Sequence, residues 1–256
     1  MAAKILVLAR FVLVEARRSG YPALVVSLLA VSVGLSMFVA RLAITESSML
    51  QLGMLAVLFR MTGVFLTSAF VCTSIVRESN DGGTEMLLSL PISRTVYYLG
   101  KLVGFSIFGV ILAAIFSLAI LAWHPSLAAI AWFISLALEL TLVAAVSLFF
   151  VVTLGNIVSA LASITALYVL SRLMPAIAAI SAGPFFDEKS NLETLAGWAV
   201  KAVGLFLPDL DSVSKTEWLL YALPSSSEFL LILGHLLLFG CLVVIAGLFD
   251  FHRRTF

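Results

Sequence analysis

Long apolar runs separated by shorter polar stretches set the pattern of this chain. By hydropathy the runs fall at Tyr21–Ala40, Leu52–Val76, Val96–Ala122, Leu127–Val152, Ile157–Ala182 and Phe229–Phe249. Each reaches about 20 residues, the length a helix needs to cross a bilayer core. The pattern predicts an all-α polytopic membrane protein with six transmembrane helices, organised as a single domain over residues 1–256. Between the second and third runs lies RESNDGGTEMLLSLPISR (Arg77–Arg94), a polar insert with an amphipathic turn at Thr84-Glu85-Met86-Leu87-Leu88. Such an insert belongs in water, and its apolar turn has the shape of a protein-docking element.

Composition agrees with this class: 62% of residues are hydrophobic, 11% are charged, and the mean hydropathy is +1.17. A soluble domain carries about 25% charged residues. The net charge of +1 says little, but the placement of cations gives a direction. One side holds Lys4, Arg10, Arg17, Arg18, Arg77, Arg94, Lys101, Arg253 and Arg254, and the other holds Arg41, Lys189, Lys201 and Lys215. Nine against four predicts both termini in the cytoplasm. Cys72 and Cys241 fall inside apolar runs and are expected as small core residues.

Two further segments lie outside the spans. Met1–Arg18 has no apolar stretch ending at a small-residue cleavage site, so it is not expected to be a cleaved signal. Its broad apolar face (Ile5, Leu6, Leu8, Phe11, Val12, Val14) beside polar Lys4, Glu15, Arg17 and Arg18 predicts an interfacial helix over 1–18, with membrane lipid as its partner. Residues 183–227 form a long acidic connection. The capping box Ser190-Asn191-Leu192-Glu193 and the helical spacing of Leu192, Leu195, Ala199, Val203 and Phe206 predict a short extracytoplasmic helix before the last span, with Trp198 at the interface and Pro208 as its stop.

Motifs for chemistry are absent. The chain has no P-loop, no H-E-x-x-H and no G-x-S-x-G, and His124, His235 and His252 are far apart. No catalytic residue, metal site, cofactor or nucleic-acid interface is expected. Within the spans, Arg60, Glu139 and Arg172 sit where lipid penalises charge, which makes them functional candidates. Counted along the helices, Arg60 and Arg172 lie about 12 to 15 Å below the outer boundary and Glu139 about 18 Å below it. Those depths allow one cluster, either a cavity on a translocation path for an anionic or zwitterionic substrate or an internal salt bridge. His235, on the last span, is expected to be buried and bonded to a neighbouring helix. Pro175 is expected to kink the fifth span.

A resemblance adds to this reading. Glu78, Gly82, Glu85, Leu87, Leu88, Pro91, Ser93, Arg94 and Lys101 fall in an order and spacing that resembles the type-2 ABC-transporter permease family. There the segment between the second and third spans reads approximately E-x-x-x-G-T-x-E-x-L-L-x-x-P-x-S-R, with a lysine seven residues on. Gly83 stands here where the family has threonine, and Thr84 follows one place late. Phe206–Leu210 and the terminal Phe251-His252-Arg253-Arg254-Thr255-Phe256 resemble the subgroup of permeases for maturation of nitrous-oxide reductase, a multicopper enzyme.

The resemblance implies a membrane-spanning permease that works in pairs, each copy on a separate cytoplasmic ABC ATPase that binds ATP and Mg. Arg77–Arg94 would be the cytoplasmic coupling helix, with Met86, Leu87 and Leu88 as buried anchors and Glu78, Glu85 and Arg94 as a polar rim. Gly82 and Gly83 would let the chain turn, and Pro91 would end the element. Trp198, Phe206 and Pro208 would belong to an outer gate or to a docking face for an extracytoplasmic accessory protein. The alternative function is a non-transporting platform that passes ATPase-driven motion to such a partner.

Overall fold

The computed structural model describes residues 2–42, 47–83, 93–181, 198, 202–204, 207, 208, 210–213, 215–220 and 226–253. Every regular element among them is a helix: α1 (Ala2–Arg18), α2 (Tyr21–Leu42), α3 (Ser47–Asn80), α4 (Arg94–Trp123), α5 (Leu127–Leu154), α6 (Ile157–Ser181), α7 (Glu217–Leu220) and α8 (Ser226–Arg253). Six of these, α2 to α6 and α8, are long and apolar enough to cross a membrane. The chain is a multi-pass membrane protein. The predicted helix over residues 192–206 falls mostly outside the described residues, although Trp198 and residues 202–204 are helical.

Burial separates central helices from peripheral ones. In the most apolar window of α3 and of α5, 67% of residues are buried, against 17% in α2 and 6% in α8. Helices α3 and α4 interlock through aromatic side chains, and Leu140 of α5 packs over Gly63 of α3 and Gly109 of α4. Phe59 stacks on Phe116 at 4.9 Å, and Phe70 packs against Phe105 and Phe108 at 5.6 and 4.5 Å. In lipid the hydrophobic effect does not drive helices together, so close packing and internal polar bonds must hold the bundle.

Close packing of this kind joins α1 to α4. A Cβ at Gly100 would lie 2.7 Å from Leu8 Cβ, and one at Gly104 would lie 2.7 Å from Val12 Cβ and 3.1 Å from Ala9 Cα. The two glycines, one turn apart, form a notch into which Leu8 and Val12 fit. At the turn into α2, Tyr21 donates to or accepts from Thr73 Oγ1 at 3.0 Å and meets Phe70 edge-on. Helix α1 is therefore part of the packed bundle along its inward row.

The helices overrun the hydropathy spans. Helix α3 continues past Val76 to Asn80 and is 34 residues, about 51 Å, long. Its end is a turn in which Asp81 N–H bonds the Arg77 carbonyl at 2.9 Å and Gly82 adopts φ +69°, the left-handed conformation that glycine supplies at helix ends. Helix α4 starts at Arg94, with the Ser93 hydroxyl accepting from Val96 N–H at 3.4 Å. Pro175 lies inside α6, which continues beyond it to Ser181.

Cys72 is buried, as expected, but Cys241 is exposed on α8, a correction that follows from the peripheral position of that helix. His235 is corrected for the same reason: it is exposed on α8, beside a groove lined by Leu207, Pro208, Leu238 and Phe239.

Substituting Gly104→Leu forces either α1 off α4 or a shift of Ala9 backbone, and overpacking of this kind costs about 1–3 kcal/mol. The variant is expected to melt several degrees below wild type in detergent. An unchanged melting temperature would show that the α1–α4 notch does not hold the bundle.

Candidate functional site

Two clusters of charge meet α3, one at its last turn and one around Arg60 in its first half. At the end that carries most of the cations, α3 and α4 are tied at the roots of the 84–92 insert. Lys101, only 5% exposed, makes an ion pair with Glu78. The Tyr97 hydroxyl donates to the other Glu78 oxygen at 3.0 Å. Neighbouring Arg77 pairs with Glu15 of α1 at 2.6 Å, and Ser74 donates to the second Glu15 oxygen at 2.9 Å. Arg94, at the start of α4, donates to the His252 carbonyl of α8 at 3.0 Å, while Tyr97 stacks on Phe251 at 5.6 Å.

The insert is thus flanked by helix ends that are bonded to one another and to α1 and α8. These bonds follow from spacing. Tyr97 and Lys101 are one turn apart on α4, so both face the last turn of α3 where Glu78 lies. Gly83 completes the turn beneath them: a Cβ there would meet Glu78 Cγ at 3.1 Å and the Glu78 carbonyl at 3.2 Å. Of the residues read as coupling residues, Glu78 has its carboxylate turned to Lys101 and Tyr97 inside the chain. Gly82, Gly83 and Arg94 form the two roots. Glu85, Met86, Leu87, Leu88 and Pro91 lie outside the described residues.

The second cluster brings Glu139 and Arg172 together. Glu139 is fully buried, and its Oε1 accepts from the Tyr168 hydroxyl at 2.8 Å and from Arg172 Nη1 at 3.4 Å. Arg172 Nη1 also donates to the Leu210 carbonyl at 2.8 Å. Arg60, 3% exposed, donates to Thr216 Oγ1 at 3.2 Å and lies close enough to Tyr168 to interact with it electrostatically. A cavity of about 10 Å³ adjoins Tyr168, Pro208 and Leu210, room for at most one water.

The geometry of Glu139 and Arg172 is that of an internal ion pair; Arg172 ties Leu210 to α6, and Arg60 separately ties Thr216 to α3. Pro208 is buried beside it, Trp198 is 73% exposed, and Phe206 lies outside the described residues.

No family model matches the chain, and no curated protein matches it. Among the described residues no group of three or more His, Cys, Asp or Glu side chains could hold a metal ion.

Sequence reasoning missed Tyr168 and Thr216 and gave Leu210 and Glu15 no place in either cluster. Tyr168 carried a signal, since it precedes Arg172 by one helical turn and shares its face. Leu210 carried none, because a backbone carbonyl is the same in every residue. Glu15 is the single acid of the first helix, and its place opposite Arg77 is set by the α1–α4 notch.

Removing one member of a buried pair leaves the other charge uncompensated, at about 3–5 kcal/mol. Glu139→Gln is expected to destabilise the chain far more than Tyr168→Phe, for which a lost bond to a charged group is worth about 1.5–3 kcal/mol. The double variant should cost less than the sum of the two in thermal or denaturant unfolding. Additive effects would mean that the Tyr168–Glu139 bond carries no energy of its own.

Proposed function

We propose that this chain is the membrane-spanning permease subunit of an ABC transporter, coupled through Arg77–Arg94 to a separate cytoplasmic ATPase. The observation that carries the reading is the bonding at the roots of the insert: Glu78 to Lys101 and Tyr97, Arg77 to Glu15, and Arg94 to the end of α8. A partner that moved residues 84–92 would move the ends of α3 and α4 together, and with them α1 and α8. A loop without a partner needs no such mooring.

In this reading the cation-rich end faces the cytoplasm of a bacterial inner membrane, as the asymmetry of Lys and Arg favours. Helix α1 lies at the inner interface, and residues 84–92 complete a coupling helix. Met86, Leu87 and Leu88 are the anchors that the ATPase buries, and Glu85 and Arg94 form the rim. A second copy of the permease completes the complex. ATP and Mg bind to the ATPases, and this chain holds no cofactor. The substrate is exported or extracted past the region of Trp198, Phe206 and Pro208.

One observation favours a second reading, a platform that works on an extracytoplasmic partner without transport. Arg172 and Arg60 hold the segment at Leu210 and Thr216 directly on the spans, so motion of α3 would reach that segment directly.

Co-expression with a candidate ATPase tests the coupling. Wild type is expected to co-purify with it and support ATP hydrolysis, whereas Glu85→Arg combined with Leu87→Asp should reduce the recovered ATPase at least about tenfold, the equivalent of about 1.4 kcal/mol. Full association and activity in the variant would remove Arg77–Arg94 as the grip.

A further inference from the structure

The face of α1 turned away from the bundle is unlike either a buried or a water-facing helix surface. With Leu8, Ala9, Val12 and Ala16 buried against the bundle, the opposite side presents two adjacent rows at helical spacing. One is Arg10, Val14 and Arg17, and the other is Val7, Phe11 and Arg18. All six are exposed, with Val7 at 55%, Phe11 at 65% and Val14 at 42%. Apolar side chains of that size between arginines are costly in water, and cations between apolar side chains are costly in the bilayer core. The headgroup boundary suits both.

The charge balance is one-sided. Glu15, the only acid in α1, is engaged by Arg77 and Ser74. None of Arg10, Arg17 and Arg18 takes part in an ion pair among the described residues.

We propose that the outward face of α1 is a binding site for anionic phospholipid, in which Arg10, Arg17 and Arg18 contact headgroup phosphates while Val7, Phe11 and Val14 lie against acyl chains. The site stands independently of the transporter reading, since it needs neither an ATPase nor a substrate. It also has a route to the rest of the molecule. Helix α1 carries Glu15, whose partner Arg77 lies one residue before Glu78, so lipid drawn to α1 loads the root of the 84–92 insert.

The test uses the purified full-length chain in detergent, equilibrated with equal amounts of phosphatidylglycerol and phosphatidylcholine of matched acyl chains. The chain is then re-purified, and its retained lipid is counted by mass spectrometry. Wild type is expected to enrich phosphatidylglycerol about tenfold, given the strength of basic side chains at an anionic surface. Arg10→Gln, Arg17→Gln and Arg18→Gln together should bring the ratio close to one. A control with Arg41→Gln, Lys189→Gln and Lys201→Gln removes the same charge elsewhere and should keep the enrichment.

Should the triple variant not fold, Arg17→Gln and Arg18→Gln singly carry the test, each expected to lower the enrichment about two- to fivefold. No preference in wild type, an undiminished preference in the α1 variants, or an equal loss in the control would each overturn the proposal. No lipid preference in wild type, combined with loss of a co-expressed ATPase in the α1 variant, would assign the face to an acidic protein surface instead.

Discussion

The Glu78–Lys101 pair is the interaction on which the cation-rich end of this bundle depends. A charge buried at a helix interface persists only when it is matched, and each partner here would be untenable alone. Tyr97 takes up the second oxygen of Glu78, so the carboxylate is bonded on both sides. This lets α3 run past the end of its apolar segment as an ordered helix and fixes where the insert leaves and re-enters the bundle.

Helix α3 joins this pair to the second charge cluster. One uninterrupted helix carries Arg77 and Glu78 near its end and Arg60 nearly five turns earlier, where it bonds Thr216. A displacement at its last turn is felt at Arg60, provided the bonds at both places hold. The bundle around it is packed closely enough to act as a body, with Phe59, Phe70 and Phe116 buried and Gly100 and Gly104 admitting α1 without a gap. Under the proposed reading, this is the mechanical path from ATPase to extracytoplasmic segment.

The six spans were legible because each is a continuous apolar run, and lipid leaves the backbone no alternative to a helix. Their ends were less so. Hydropathy stops at Val76, whereas α3 stops at Asn80, because Arg77 and Glu78 find partners on α1 and α4 that a window along one segment does not contain. Depth along the spans allows Glu139 and Arg172 to meet, in one cluster with Arg60, but does not choose between a cavity and an ion pair. Thr216 and Leu210 could not be read from depth, since they come from a distant connection and one of them contributes only its carbonyl. A polar residue in a span is expected to face inward, but His235 sits on α8, most of whose surface is left uncovered by the other described residues. The anchors Met86, Leu87 and Leu88 rest on the sequence resemblance, as they fall outside the described residues.

The central claim is that the roots of the insert are held to each other through Glu78 and Lys101, so that force on the insert reaches the helices. Exchange of the two charges tests it most directly. In complexes with a co-expressed candidate ATPase, as the proposed function requires, Glu78→Lys and Lys101→Glu singly should each depress ATP hydrolysis strongly, and the double exchange should recover a substantial part of it. Single variants that hydrolyse ATP like wild type would contradict the account.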